Sequence, residues 1–178
     1  MRVICDRGNN IGVSIGPSYR PAAGDNIPAT VRFVTDHYTA KYAAEPADLI
    51  VCRHVLEHFG EPRPLIATVR QAVGDRTNSV VYFEVPNGEF ILREQLFWDF
   101  IYQHCSYFTQ SSLAKLFTMS AFRIRDIQES FGSQFLAVEA SAPSDGKATT
   151  FLNIVDPAGS PISHIIDIIP ASSGSWIW

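Results

Sequence analysis

Asp48-Leu-Ile-Val-Cys-Arg-His-Val-Leu-Glu-His58 decides the fold. From Ala47 to Cys52 the apolar residues run on almost without a break, as a strand does when a parallel sheet buries both of its faces. Polar residues follow, and then Leu65, Val69 and Val73 recur at four-residue intervals, the pattern of one buried helix face, with Gly74 placed to stop it. Ser79-Val-Val-Tyr-Phe-Glu-Val85 is a second buried run, and Pro86, which has no N–H to give, ends its ladder. Strand, helix, strand is the repeating unit of an α/β sheet.

Upstream, Ile11-Gly-Val-Ser-Ile15 and Val31-Arg-Phe-Val34 are short strand-like runs separated by Gly16-Pro17 and a Pro/Gly/Asn-rich stretch from Pro21 to Pro28. Downstream, Thr109 or Ser111 is placed to cap a helix whose Leu113, Leu116 and Phe117 share a face. Two alternating runs, Phe122 to Ile127 and Gln134 to Glu139, then meet around Gly132, which predicts an antiparallel hairpin on the sheet edge. The expected architecture is a Rossmann-like, doubly wound α/β sheet, mostly parallel, with that C-terminal hairpin.

Residues 1–141 read as one partial domain and 142–178 as an extension, where the composition turns to Pro, Ser, Gly and Asp around two short apolar runs, Phe151 to Val155 and His164 to Ile169. Two readings of the extension stand open, extra edge strands or a poorly ordered tail with apolar segments.

The 178 residues, 46% hydrophobic and 18% charged, allow one sizeable core. The net charge of −4, with Lys and Arg scattered, argues against a nucleic-acid partner. No apolar run approaches the roughly 20 residues that span a bilayer, so no membrane partner is expected and a cytoplasmic location is the default. Cys5, Cys52 and Cys105 are odd in number and far apart, which predicts reduced thiols.

Open α/β sheets bind ligands outside the carboxyl ends of their strands. That rule selects four loops: Gly16 to Tyr19, Asp36 to Tyr38, Arg53 to His58, and Glu84 to Asn87. His54-Val-Leu-Glu-His58 also spells H-x-x-E-H, a zinc-peptidase pattern that needs both histidines on one helix. If the run to Cys52 is a strand, His54 falls at its end instead, so a zinc enzyme is kept only as a minor alternative and no metal ligand is assigned.

The Asp48–His58 stretch resembles the fourth-strand segment of class I S-adenosylmethionine-dependent methyltransferases, in which a D-h-h-h-x-x-x-h-L-E-H pattern leads from strand into helix. Tyr82-Phe-Glu-Val-Pro-Asn87, Phe97-Trp-Asp-Phe-Ile-Tyr-Gln-His104, Ser106-Tyr-Phe-Thr109 and Phe131-Gly-Ser-Gln-Phe-Leu-Ala-Val-Glu139 resemble the branch containing deoxysugar C-methyltransferases. The resemblance covers roughly residues 1 to 140. It implies S-adenosylmethionine as cofactor and a small-molecule acceptor, sugar-like or carbonyl-bearing. It places Asp36, His37 and Tyr38 in the adenine loop and Cys52, Arg53 and His54 along the methionine half.

By the same resemblance, Glu84, Asn87, Trp98 and Tyr102 face the acceptor, and His58 and His104 stand where the family keeps its candidate bases. His104 is preferred because it closes the aromatic stretch. Two departures point toward a non-catalytic, truncated remnant as the alternative. The family's first strand and glycine-rich loop have no counterpart ahead of Ile11, and Gly16 stands where relatives carry a ribose-binding acid. A sheet lacking that central strand is expected to leave two strand edges unpaired. Gln103 stands where some relatives have an acid beside the base.

Overall fold

A computed structural model describes residues 2–19, 27–100, 103–144 and 164–168. After a short helix α1 (Arg2–Gly8) come strands β1 (Ile11–Ile15), β2 (Val31–Val34) and β3 (Leu49–Arg53). Helix α2 (Arg63–Val73) and strand β4 (Val80–Pro86) follow, then the short α3 (Gly88–Arg93) and α4 (Gln110–Met119). The hairpin β5 (Arg123–Ser130) and β6 (Phe135–Ser141) comes next, and β7 (His164–Ile168) lies beyond the residues that are not described.

The seven strands form one sheet in the order β2-β1-β7-β3-β4-β6-β5. Strands β2, β1, β7, β3 and β4 run parallel, β6 runs antiparallel to β4, and β5 antiparallel to β6. The doubly wound α/β reading is therefore correct, including the adjacent parallel pair β3 and β4 and the terminal hairpin.

One expectation is corrected. The edges of β1 and β3 are not left open, because β7 lies between them and pairs with both, Gly12 opposite Ile165 and Ile50 opposite Ile166. Ile165, Ile166 and Ile168 are each at most 3% exposed, so the run behaves as a strand buried on both faces. Among the described residues, the extension thus supplies a central strand. Neighbours in a sheet are most often neighbours in sequence, and a strand separated from β1 by some 150 residues defeats that expectation.

Helix α2 buries Leu65, Ile66, Val69, Ala72 and Val73, and its chain leaves at Gly74 with φ of +56°, a left-handed stop that glycine adopts without strain. Each of its large apolar side chains contributes roughly 1.5–3 kcal/mol on burial. Helix α4 starts at Thr109, whose hydroxyl accepts the Ser112 N–H while the Ser112 hydroxyl accepts the Thr109 N–H. Its buried Phe117 meets Phe83 of β4 edge to face at 5.3 Å, which locks the helix to the sheet.

Candidate functional site

The parallel strands end along one edge, and the loops after β3 and β4 carry the charged side chains. Strand β3 stops at Arg53, and His54 turns the chain with φ of +54°, a left-handed conformation uncommon outside glycine and asparagine. The turn points the His54 N–H at the Glu84 carbonyl, 3.0 Å away, and its Nε2 at Glu84 Oε1, 3.2 Å away. Leu56–His58 follows as a single 3₁₀ turn. The two histidines of the H-x-x-E-H pattern consequently do not share a helix.

Glu84 is 6% exposed and organises this corner. Arg53 donates to its Oε1 through Nε at 2.8 Å, and Tyr82 and Ser130 donate to Oε2 at 3.0 and 3.3 Å. Burial alone would raise the Glu84 carboxyl, but His54, Arg53 and Tyr82 outweigh it and hold the group down at about 2. Tyr82 is pushed up to about 12, first by burial and then by Glu84.

Beside this corner lies a second group. The segment before α4 is tied to the β3 loop because the Glu57 carbonyl accepts the N–H groups of Cys105, at 2.8 Å, and Ser106, at 3.0 Å. Gly88 anchors the other end: its N–H donates to the Phe108 carbonyl at 2.8 Å, and a Cβ at this position would lie 3.0 Å from that same oxygen. These ties bring His104 to His58, ring centres 5.1 Å apart at 65°, with Tyr107 6.0 Å beyond.

Glu57, His58 and His104 each bring one nitrogen or carboxylate oxygen to within 4.8 Å of the other two. Glu57 is 1% exposed, and burial raises its carboxyl, against the pull of His54 and His58. His104 is held down at about 4, by burial first and then by His58 and His54, so its ring is neutral at neutral pH. His58 Nδ1 lies 3.0 Å from the Gln103 carbonyl. Sequence reading singles out both histidines but misses Glu57; the signal was an acid enclosed between buried Leu56 and His58 directly after a buried strand. It misses the Arg53–Glu84 pair as well, because the pair joins two loops.

The residues expected to meet the cofactor are divided. Asp36, after β2, receives the His37 N–H at 2.8 Å and the Tyr42 hydroxyl at 2.7 Å, and pairs with Lys41. Lys41 first, then Tyr42 and His37, hold its carboxyl down at about 2. His37 is exposed. Tyr38 packs on Tyr42, burial pushes it up to about 12, and its hydroxyl is buried without a partner among the described residues. Cys52 is fully buried, with its thiol in the core, whereas Arg53 and His54 reach the surface beside Glu84.

Of the residues expected to face the acceptor, Glu84 joins the cluster above. Asn87 is fully buried at the start of α3, its carbonyl accepting the Glu89 and Phe90 N–H groups and its amide donating to the Ser133 carbonyl at 2.9 Å. Trp98 is 68% exposed on a 3₁₀ turn with Phe97. Tyr102 lies outside the described residues. No helix among the described residues is long and apolar enough to cross a membrane.

A mostly parallel sheet with charged and imidazole groups gathered at its strand ends is a Rossmann-like architecture with a candidate site in the place where such sheets bind ligands. Residues 6–126 match the sequence pattern of the methyltransferase domain, and the chain belongs to that family. The family's methyl donor is S-adenosylmethionine. The fold is shared with human N-acetylserotonin methyltransferase in complex with SAM (TM-score 0.57, 16% identity, 76% of this chain and 41% of that one). It is also shared with N,N-8-amino-8-demethyl-D-riboflavin dimethyltransferase from Streptomyces davawensis (TM-score 0.55, 19% identity, 78% and 51%). The chain thus spans about half the length of these two enzymes. No curated protein matches the sequence.

Proposed function

We propose that this protein transfers a methyl group from S-adenosylmethionine to a small acceptor, sugar-like or carbonyl-bearing, in the manner of the deoxysugar C-methyltransferases, within the cytoplasm. The observation that carries the reading is the convergence of Glu57, His58 and His104 beside the ends of β3 and β4. A carbon acceptor must lose a proton beside its carbonyl, and a neutral imidazole is suited to take it.

The residues fit the donor at two places. The buried, unpartnered Tyr38 hydroxyl offers a hydrogen bond to an adenine edge, with Asp36 and His37 alongside. Arg53 and His54, with the backbone at Cys52, flank the methionine half, where both signs of charge are needed. When bound, S-adenosylmethionine supplies an electrophilic methyl group. Glu84, Asn87, Trp98 and Tyr102 bound the acceptor side, His104 takes the proton, and His58 supports it. Residues 1–141 carry this site, and the extension 142–178 adds β7.

A second reading, a binding or non-catalytic relative, is favoured by two observations. The Asp36 carboxylate is already committed to His37, Lys41 and Tyr42. Gly16, directly after β1, offers no side-chain acceptor at the position where the resembled family carries a ribose-binding acid. Calorimetry with S-adenosylmethionine, followed by transfer of labelled methyl to a panel of carbonyl-bearing sugars, separates the two. Saturable binding with acceptor-dependent transfer supports the enzyme, whereas absent binding at millimolar donor supports the relative.

A further inference from the structure

We propose that Glu57 is the positioning residue for His104, holding its ring in the Nδ1–H form so that Nε2 is left as the proton acceptor. The inference rests on the reading of His104 as the base. It also supplies the acid that Gln103 does not.

The argument begins at His58. Its Nδ1 faces the Gln103 carbonyl, and a carbonyl only accepts, so that nitrogen carries a hydrogen, and in the singly protonated ring Nε2 is then the lone pair. His58 Nε2 is buried without a hydrogen-bond partner among the described residues, and so are Glu57 Oε2 and His104 Nδ1. With His104 in the other tautomer and His58 singly protonated, these three buried atoms would all be acceptors, in a cluster where the three residues each bring a nitrogen or carboxylate oxygen to within 4.8 Å of one another, with no donor among them. Buried acceptors left so keep the full penalty of losing their water.

One hydrogen on His104 Nδ1 resolves all three. It is given to Glu57 Oε2, with His58 Nε2 as second acceptor, directly after a small side-chain rotation or through one bridging water. The groups that face Glu57 are His54, whose Nδ1 is 3.8 Å from Oε1, together with His58, Glu84 and Cys52.

The step balances without a further reactant. The acceptor's C–H proton passes to His104 Nε2, the electron pair it leaves forms the new carbon–methyl bond, and the donor's sulfur keeps the pair of the broken sulfur–methyl bond. The imidazolium then carries one positive charge, and the nearby Glu57 carboxylate stabilises it, as the third member of a nucleophile–base–acid set does.

The test reads the tautomer directly. In the full chain labelled with 15N in its histidine rings, long-range proton–nitrogen spectra at neutral pH are expected to show His104 and His58 both as Nδ1–H. Glu57→Gln, which offers an amide donor and no charge, should shift His104 toward the Nε2–H form, and Glu57→Asp should retain most of the original form. His58 should stay unchanged in both, because the Gln103 carbonyl holds it. Wherever turnover is measurable, Glu57→Gln should lower kcat on the order of 10²-fold with KM within a few-fold. A wild-type His104 in the Nε2–H form overturns the proposal. So does an unaltered His104 tautomer in a folded Glu57→Gln, or one equivalent of zinc bound through the three residues. Should Glu57→Gln fail to fold, the wild-type tautomer decides alone. None of the spectroscopic readouts requires methyl transfer, so their failure is distinct from failure of the enzymatic reading.

Discussion

The Ser14 hydroxyl on β1 donates to Asp167 Oδ2 on β7 across 2.9 Å and 153 positions of sequence. This bond sits between the two strands at paired positions, Ser14 opposite Asp167, so it favours one register over its neighbours. Burial raises the Asp167 carboxyl above its usual 3.8, with Ser14 and Arg53 pulling the other way. A raised carboxyl is easier to bury neutral, so its contribution is complete below 3.8 and is lost as pH rises through the folded value. Asp167→Asn, which keeps an acceptor for Ser14, should therefore melt higher than wild type at neutral pH and match it at pH 3. Thermal melts at the two pH values check this, and a lower Tm at neutral pH would contradict it.

The central place of β7 makes a stronger demand. Ile166 is 1% exposed and pairs across to both Val13 and Ile50. Ile166→Ala should destabilise by about 2–5 kcal/mol, as large-to-small core changes do. Deleting residues 164–178 should expose the β1 and β3 edges and yield aggregates by size exclusion. A truncated chain that stays monomeric with an unchanged far-ultraviolet spectrum would show that β7 is dispensable.

Glu84 sets the acid limit of the fold. Its carboxyl, held at about 2 against an ordinary 4.5, contributes stability that is present above 4.5 and lost as pH falls toward 2. The difference corresponds to roughly 3–3.5 kcal/mol, at about 1.4 kcal/mol per unit. Glu84→Gln should lose about that much at pH 7 and little near pH 2, as read from urea midpoints across the range. An equal loss at both ends would mean that packing, and not charge, is what Glu84 supplies.

Legibility in the sequence followed range of interaction. The β3–α2–β4 unit, the Thr109 cap and the hairpin around Gly132 could be read because each depends on residues within about a dozen positions. His58 and His104 could be read as candidates from their motifs, yet nothing local indicated that Glu57, 47 positions from His104, joins them. The place of β7 was hidden for the same reason, since His164-Ile-Ile-Asp-Ile168 is a short apolar run whose sheet partners lie 116 positions away on β3 (Leu49 opposite Ile165) and 153 positions away on β1 (Ile11 opposite His164).

Asn87 illustrates a motif residue whose side chain serves the fold. It caps α3 through Glu89 and Phe90 and reaches the Ser133 carbonyl and Glu129, so its substitution leaves several part-buried groups without this partner. Asn87→Ala should cost about 1–3 kcal/mol and loosen the β4–α3 junction. Hydrogen exchange at Glu89 and Phe90 is the measurement, and protection factors equal to wild type would refute the cap as the main role.

The last prediction separates the two histidines. His104 stands between His58 and Tyr107, while Arg53 and His54 are bound up with Glu84, on the side proposed to hold the donor. A general base contributes about 10²- to 10⁴-fold, so His104→Ala should lower kcat by that order while the Kd for S-adenosylmethionine stays within a few-fold. His58→Ala is the matched comparison: its ring has Nδ1 occupied by the Gln103 carbonyl and Nε2 buried, which leaves it no nitrogen free to meet an acceptor. It should lower kcat less than His104→Ala does. Arg53→Ala should do the reverse of His104→Ala, raising the donor Kd with a smaller effect on kcat at saturation. If His58→Ala abolishes turnover and His104→Ala leaves it intact, the assignment of the base is reversed. If neither slows it, both rings are structural and the proton leaves by another route.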